Sequence, residues 1–237
     1  MCTVIVSVPS APGAPTRLLA VRDEDPARPW NPLGAWWPER DDRIVGVRDV
    51  RAGGAWLAAL PDAGRLAVLL NRADVSDRPE ADLVSRGVLP LDAVQGSVPS
   101  GDPRTHGFNL VDVDGSAVRV VSWDGRDLRS RSLEPGVHML AHDDVDDAST
   151  ARIAAWLDAF RAASGRPDAW IEAWLGVLDR SAELSPDDDR AIIRDNRPHG
   201  YPTQSLLLCA AELTSSGVDV RYGELDHPAR WTHPSWV

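Results

Sequence analysis

The sequence predicts one α+β domain over residues 1–237, in which strands from both ends of the chain share sheets and helices pack outside them. Three observations carry this. Short β-branched runs punctuated by Gly, Pro and Asp turns fill the first 140 residues. After Ser149 the apolar period lengthens to that of a helix, and after Thr203 strand-like runs return. At about 150 residues per domain, the length alone leaves one large or two small domains open. No internal repeat divides the chain.

Taken in order, residues 2–8 are small and β-branched, and after a Pro/Gly/Ala turn residues 17–21 complete an opening hairpin. Residues 26–40 read as an irregular Pro- and Trp-rich loop. Strand-like runs at 43–47, 55–60 and 65–70 are split by Gly53-Gly54 and by Asp62-Ala63-Gly64. A Pro-initiated segment within 77–94, carrying Leu83 and Val84, predicts a short helix. Strands resume at 107–113 and 117–123, with a further pair through Val137, and Asp114-Gly115 and Asp124-Gly125 are the hairpin turns. Ile153, Trp156, Leu157 and Phe160 fall on one helical stripe, capped by Ser149 or Thr150. A second helix starts at Pro167, with Trp170, Trp174 and Leu178 on one face. Residues 203–213 and 218–222 then form strands around Ser215-Ser216-Gly217.

Composition narrows the function classes. With 43% hydrophobic residues the chain can bury a full core, so neither disorder nor a disulfide-stapled scaffold is needed. Twenty-five cationic against 36 acidic side chains give a charge of −11, which disfavours nucleic acid and anionic membrane surfaces as partners. Every cation is arginine; without lysine, Schiff-base chemistry is excluded. No basic leader precedes an apolar run and no stretch of 18 apolar residues occurs, so no membrane span and a cytoplasmic location are expected. The cysteines, Cys2 and Cys209, form no C-x-x-C pair and the six histidines are scattered, so no metal site is expected. The acidic run 143–147 lacks EF-hand spacing and reads as a solvated loop.

Cys2 directly follows the initiator Met1. Removal of Met1 would leave one residue with an α-amine of pKa about 7.7–8.0 and a thiol of about 8.5, a base and a nucleophile together. Cys2 can equally be a small residue opening a buried strand. Arg22 and Asp23 can be an ordinary turn ion pair, and Asn71 a strand-end turn residue. Trp30, Trp36 and Trp37 crowd one loop near Arg22-Asp23 and could wall an apolar pocket or anchor the loop. Cys209, within an apolar run, reads as inert core.

An ordered set of segments adds to this: Met1-Cys2-Thr3-Val4-Ile5-Val6, Arg22-Asp23-Glu24, Arg28-Pro29, Gly53-Gly54-Ala55-Trp56-Leu57, Asn71 after Leu66-Ala67-Val68-Leu69-Leu70, Ser85-Arg86-Gly87 and Gly107-Phe108-Asn109-Leu110. In these the chain resembles the NRDE family, whose eukaryotic members are called transport and Golgi organisation protein 2. The resemblance covers most of the first 140 residues and a weaker stretch near Tyr201 to Ser205. That family is similar in its opening to choloylglycine hydrolases and penicillin V acylase, which are N-terminal nucleophile hydrolases. The resemblance implies a four-layer αββα sandwich and a Cys2 nucleophile that cleaves a non-peptide C–N amide through a thioester, with no cofactor required. Arg22 would stabilise the thiolate, Asp23 would bond the α-amine with Asp25 as a second candidate, and Asn71 would be an oxyanion donor. Trp36, Trp37, Asn109 and Gln204 are the candidate substrate-pocket residues, Asn109 being the more structural of them. The family's links to haem mobilisation and lipid or acyl-CoA metabolism imply an alternative: a non-catalytic carrier of haem or an acyl ligand.

The chain departs from the family pattern at three polar places. The family's namesake asparagine is Val21, its glycine-threonine-arginine reads Pro202-Thr203-Gln204, and its Ser-Asn reads Ala141-His142. Gln204 cannot supply an arginine's charge, which implies a different substrate or weakened hydrolysis.

Overall fold

The computed structural model describes residues 2–165 and 167–237. Strand β1 (Thr3–Val8) is paired between β2 (Thr16–Glu24) and β10 (Gly136–Leu140). On its other edge β2 pairs with β11 (Gln204–Thr214), and β11 with β12 (Gly217–Glu224), closing a five-stranded antiparallel sheet in the order β10-β1-β2-β11-β12. The two ends of the chain therefore share a sheet, as the order of patterns predicts. A second, seven-stranded antiparallel sheet runs as a meander through β3 (Trp30–Gly34), β4 (Val45–Asp49), β5 (Ala55–Leu60), β6 (Arg65–Asn71), β7 (Phe108–Asp114), β8 (Ala117–Trp123) and β9 (Leu128–Ser132).

The period of two along each strand sorts side chains between distinct cores. Val4, Val6 and Val8 of β1 meet Leu207, Cys209 and Ala211 of β11 and Leu66, Val68 and Leu70 of β6 in one cluster between the sheets. The alternate residues Ile5, Leu19, Val21 and Leu208 face α2 (Ala151–Ala163) and α3 (Trp170–Ser181). On the far face of the seven-stranded sheet, Ala67, Leu69 and Leu110 pack against the short helix α1 (Leu89–Val94). Strands covered on both faces read as near-continuous apolar runs, which is why β1 and β11 lack clean alternation in the sequence.

Four local expectations are corrected. Residues 30–34, expected within a loop, form edge strand β3; the exposed Pro32 is tolerated because the β3–β4 register breaks between Asn31 and Gly34. The helix expected within 77–94 is confined to α1, with 3-10 turns before it, and Val84 is exposed. The strand pair expected through Val137 is not a hairpin, because β9 ends one sheet and β10 begins an edge of the other. At α2 neither expected cap closes the helix through its side chain: Thr150 occupies the cap position, but its hydroxyl donates to Asp143 at 2.6 Å. The apolar stripe of α2 is otherwise as expected, with Ile153, Leu157 and Phe160 buried, and Trp174 packs edge-on against Phe160 and Trp170. Among the described residues, no helix is long and apolar enough to cross a membrane.

Candidate functional site

Cys2 sits at the head of β1, and the antiparallel pairing with β2 places it beside Asp23. Its Sγ accepts a hydrogen bond from the Asp23 backbone N–H at 3.4 Å and can donate to the Asp23 carbonyl at 3.7 Å. Strand β2 stays extended through Arg22, Asp23 and Glu24 because β11 pairs along its other edge, with Leu207 opposite Arg22 and Ser205 opposite Asp23. The register breaks between those two pairs, a bulge that re-aims side chains at the end of the strand.

A buried polar layer lies behind this strand end. The Ser205 hydroxyl donates to Asp23 Oδ1 at 2.6 Å and accepts the Arg194 backbone N–H at 2.8 Å. Arg194 in turn donates to Asn196 Oδ1 at 2.9 Å and to Asp189 at 3.0 Å. From α2, Arg152 reaches in and donates to Thr3 Oγ1 at 2.8 Å; burial pulls its guanidinium down to about 10.

In front of Cys2 opens a cleft of about 690 Å³ including its mouth, within the range of small-molecule sites. Its walls come from both sheets: Cys2, Arg22 and Asp23 on one side, and Asp49, Trp56, Asn71 and the segment Ser85-Arg86-Gly87 on the other. Two loops cross here on glycine: a Cβ on Gly54 would lie 2.5 Å from the Gly87 backbone, so only glycine fits.

Charges in the cleft are locally paired. Arg28 bonds Asp49 at 2.5 Å and lies 4.0 Å from Glu24, and Arg22 Nη2 reaches Glu24 at 3.5 Å. Burial works against the charge on Arg28, but the Asp49 hydrogen bond and the charges of Asp49 and Glu24 hold it above its ordinary value. The Arg22 guanidinium also lies over the Trp30 ring at 5.8 Å, and that indole donates to the Tyr222 hydroxyl at 2.9 Å. Burial pushes the Cys2 thiol up, and the Asp23 charge pushes it further. Arg22 pulls it down, but less than either, so in this state the thiol is held protonated at neutral pH and thiolate stabilisation by Arg22 does not dominate.

Of the residues singled out from sequence, Cys2, Arg22, Asp23 and Asn71 line this one cleft. Trp36, Trp37, Asn109 and Gln204 do not. Trp37 is buried on the outer face of the seven-stranded sheet and donates to the Gly53 carbonyl at 2.9 Å, while Trp36 donates to the Pro32 carbonyl at 2.7 Å. Both anchor the loop and do not wall the pocket. Asn109 is fully buried and ties the sheets together: its amide donates to the Asp143 carbonyl at 2.8 Å and its oxygen accepts the Ser122 hydroxyl at 2.7 Å. Gln204, at the start of β11, is buried opposite Glu24. Asp25 accepts the Ala27 N–H at 2.9 Å in a turn of its own. Val21 and Ala141 belong to the core beneath the helices, where an asparagine or serine would need buried partners. The expectation about Met1 lies outside the described residues.

Sequence reasoning missed Trp56, Asp49, Arg86 and the Ser205–Arg194 layer as parts of the site. The signal for two of them was present, because Trp56 and Arg86 lie in the short segments that carry the family resemblance, and those segments converge on one cleft. No side-chain cluster suited to a metal ion occurs among the described residues.

A family model described as Transport and Golgi organisation 2 matches residues 1–208, a span that holds every residue lining the cleft. No curated protein matches the chain.

Proposed function

The chain belongs to the Transport and Golgi organisation 2 family, and we propose that it works as an N-terminal nucleophile hydrolase of the four-layer αββα type, cleaving a non-peptide C–N amide through Cys2. The observation that carries this reading is the position of Cys2 at the head of β1, facing a solvent-open cleft with Arg22, Asp23 and Asn71 around it.

In this reading, loss of Met1 frees the α-amine of Cys2. As Sγ attacks the amide carbonyl carbon, the thiol proton passes to that amine, and the oxyanion is held by Asn71 and a backbone N–H. The protonated amine then gives its proton to the leaving nitrogen, and the C–N bond breaks to leave a thioester. Water, deprotonated by the same amine, attacks the thioester; the carboxylic acid departs and the thiol is restored. Because burial and Asp23 hold the thiol protonated, no thiolate stands ready, and the amine has to take the proton as the attack proceeds. Asp23, fixed by Ser205, is the group that would orient the amine.

A carrier holding haem or an acyl chain in the same cleft draws less support, because six of its lining residues are charged and large apolar ligands favour apolar walls. The test is turnover of a panel of N-acyl amides by the purified protein. Release of free amine that is abolished in Cys2→Ala supports the hydrolase. A saturable ligand complex unaffected by Cys2→Ala, with no amine released, favours the carrier.

A further inference from the structure

Three nitrogen donors in the walls of the Cys2 cleft have no partner of the kind their chemistry calls for. Arg22 is 2% exposed, yet its Nη1 makes no hydrogen bond among the described residues. Trp56 is 7% exposed and its indole Nε1–H is likewise unpaired. Arg86 is half-buried; its Nη1 donates to the Gly107 carbonyl at 2.6 Å, but among the described residues no carboxylate stands at ion-pair distance from it. Burial accordingly lowers its proton affinity. A buried donor without an acceptor is costly, and most such groups in folded proteins are satisfied by something.

The carboxylates of the cleft are already engaged. Asp49 accepts Arg28 at 2.5 Å and the Ala52 N–H at 2.8 Å, Glu24 accepts the Asp25 N–H at 2.9 Å, and Asp23 accepts Ser205 at 2.6 Å. The described charged side chains of the lining balance, with Arg22, Arg28 and Arg86 against Asp23, Glu24 and Asp49, so these side chains supply no net attraction for either sign. What remains is Arg22 Nη1 and Trp56 Nε1 with no acceptor among the described residues, and an Arg86 guanidinium with a carbonyl but no carboxylate partner, on three residues that line a space a small molecule can enter.

We propose that this cleft binds an oxyanion group of its ligand, a carboxylate or a phosphate, through Arg86, Trp56 Nε1 and Arg22 Nη1. Such a group accepts several hydrogen bonds at once, and planar guanidinium donors suit it. The ligand therefore carries an acidic group. The inference rests on the reading of this cleft as the substrate site, but it concerns binding and does not require Cys2 to react.

The experiment is isothermal titration of the full-length protein with hexanoate, hexyl phosphate and 1-hexanol, which share a chain and differ in the head group. At least one anion binds about tenfold or more tightly than the alcohol, the scale of a charge-assisted hydrogen bond. The stronger of the two anions identifies the head group. Trp56→Phe, which keeps the ring and deletes the N–H, and Arg86→Gln each reduce that preference; thermal melts confirm that the variants are folded. Equal binding of all three probes, no binding by any of them, or an anion preference unchanged in both variants overturns the proposal. Anion binding through these residues without amide turnover leaves it standing and removes the hydrolase reading instead.

Discussion

Ser205→Ala removes the hydroxyl that joins β2 to β11 behind Cys2, at a site with no exposed surface. Two bonds go together. Asp23 loses a donor at 2.6 Å, and the Arg194 backbone N–H loses its acceptor at 2.8 Å. A hydrogen bond to a charged group contributes about 1.5–3 kcal/mol and a stranded buried N–H costs about 1–3 kcal/mol, so the variant should be destabilised by about 3–4 kcal/mol after allowance for overlap. Urea unfolding followed by fluorescence reads this directly, with the slope unchanged and the midpoint lowered. The ten tryptophans supply the signal. A loss below about 1 kcal/mol would refute the reasoning, because it would mean that both groups are satisfied without the serine and that the layer behind Cys2 is not tightly closed.

His138 Nδ1 donates to Asp146 at 2.6 Å; this bond holds the imidazole above its ordinary value, and Asp146 is itself held below the carboxylate range despite burial. A raised histidine contributes stability fully below about pH 6.5 and loses it as pH rises through the folded value, so the stability gap between wild type and His138→Gln, measured by urea unfolding, narrows from pH 6 towards pH 9. Gly54→Ala forces a Cβ to within 2.5 Å of the Gly87 backbone; thermal unfolding should show a loss of about 1–3 kcal/mol, as for an overpacked core, and a substitution without cost would mean that the two loops separate freely. Burial pushes both thiols above their usual range. In protein that retains Met1, iodoacetamide therefore labels Cys2 and Cys209 more slowly than free cysteine at neutral pH, with labelling of Cys2 still rising beyond about pH 8.5; fast neutral-pH labelling of Cys2 would contradict the burial described here.

Much of this arrangement was legible in the sequence because it rests on local rules. The opening hairpin, the two Asp-Gly turns and the stripes of Trp170, Trp174 and Leu178 follow from turn chemistry and periodicity, which neighbouring residues decide among themselves. The misreadings share a cause. Strand β3 exists because β4 lies beside it, and Pro32 concealed the strand. Trp36 and Trp37 are close to Arg22 in sequence but pack on the opposite face of a sheet. Ser205 and Asp23 meet across 182 positions of chain, a contact fixed by the register of β11 against β2 and by its bulge. Position after Met1 made Cys2 a candidate and the resembling segments singled it out; the environment that raises its thiol is tertiary and left no local trace.

The central claim is that Cys2, freed of Met1, forms a thioester with its substrate. Mass spectrometry of the protein as purified, and again after incubation with a turned-over amide and rapid acid quench, tests it most directly. The expected N-terminal peptide begins at Cys2 and gains the mass of one acyl group, lost on treatment with hydroxylamine and absent from Cys209. Retention of Met1 in active protein, or an acyl group on any other residue, would contradict it.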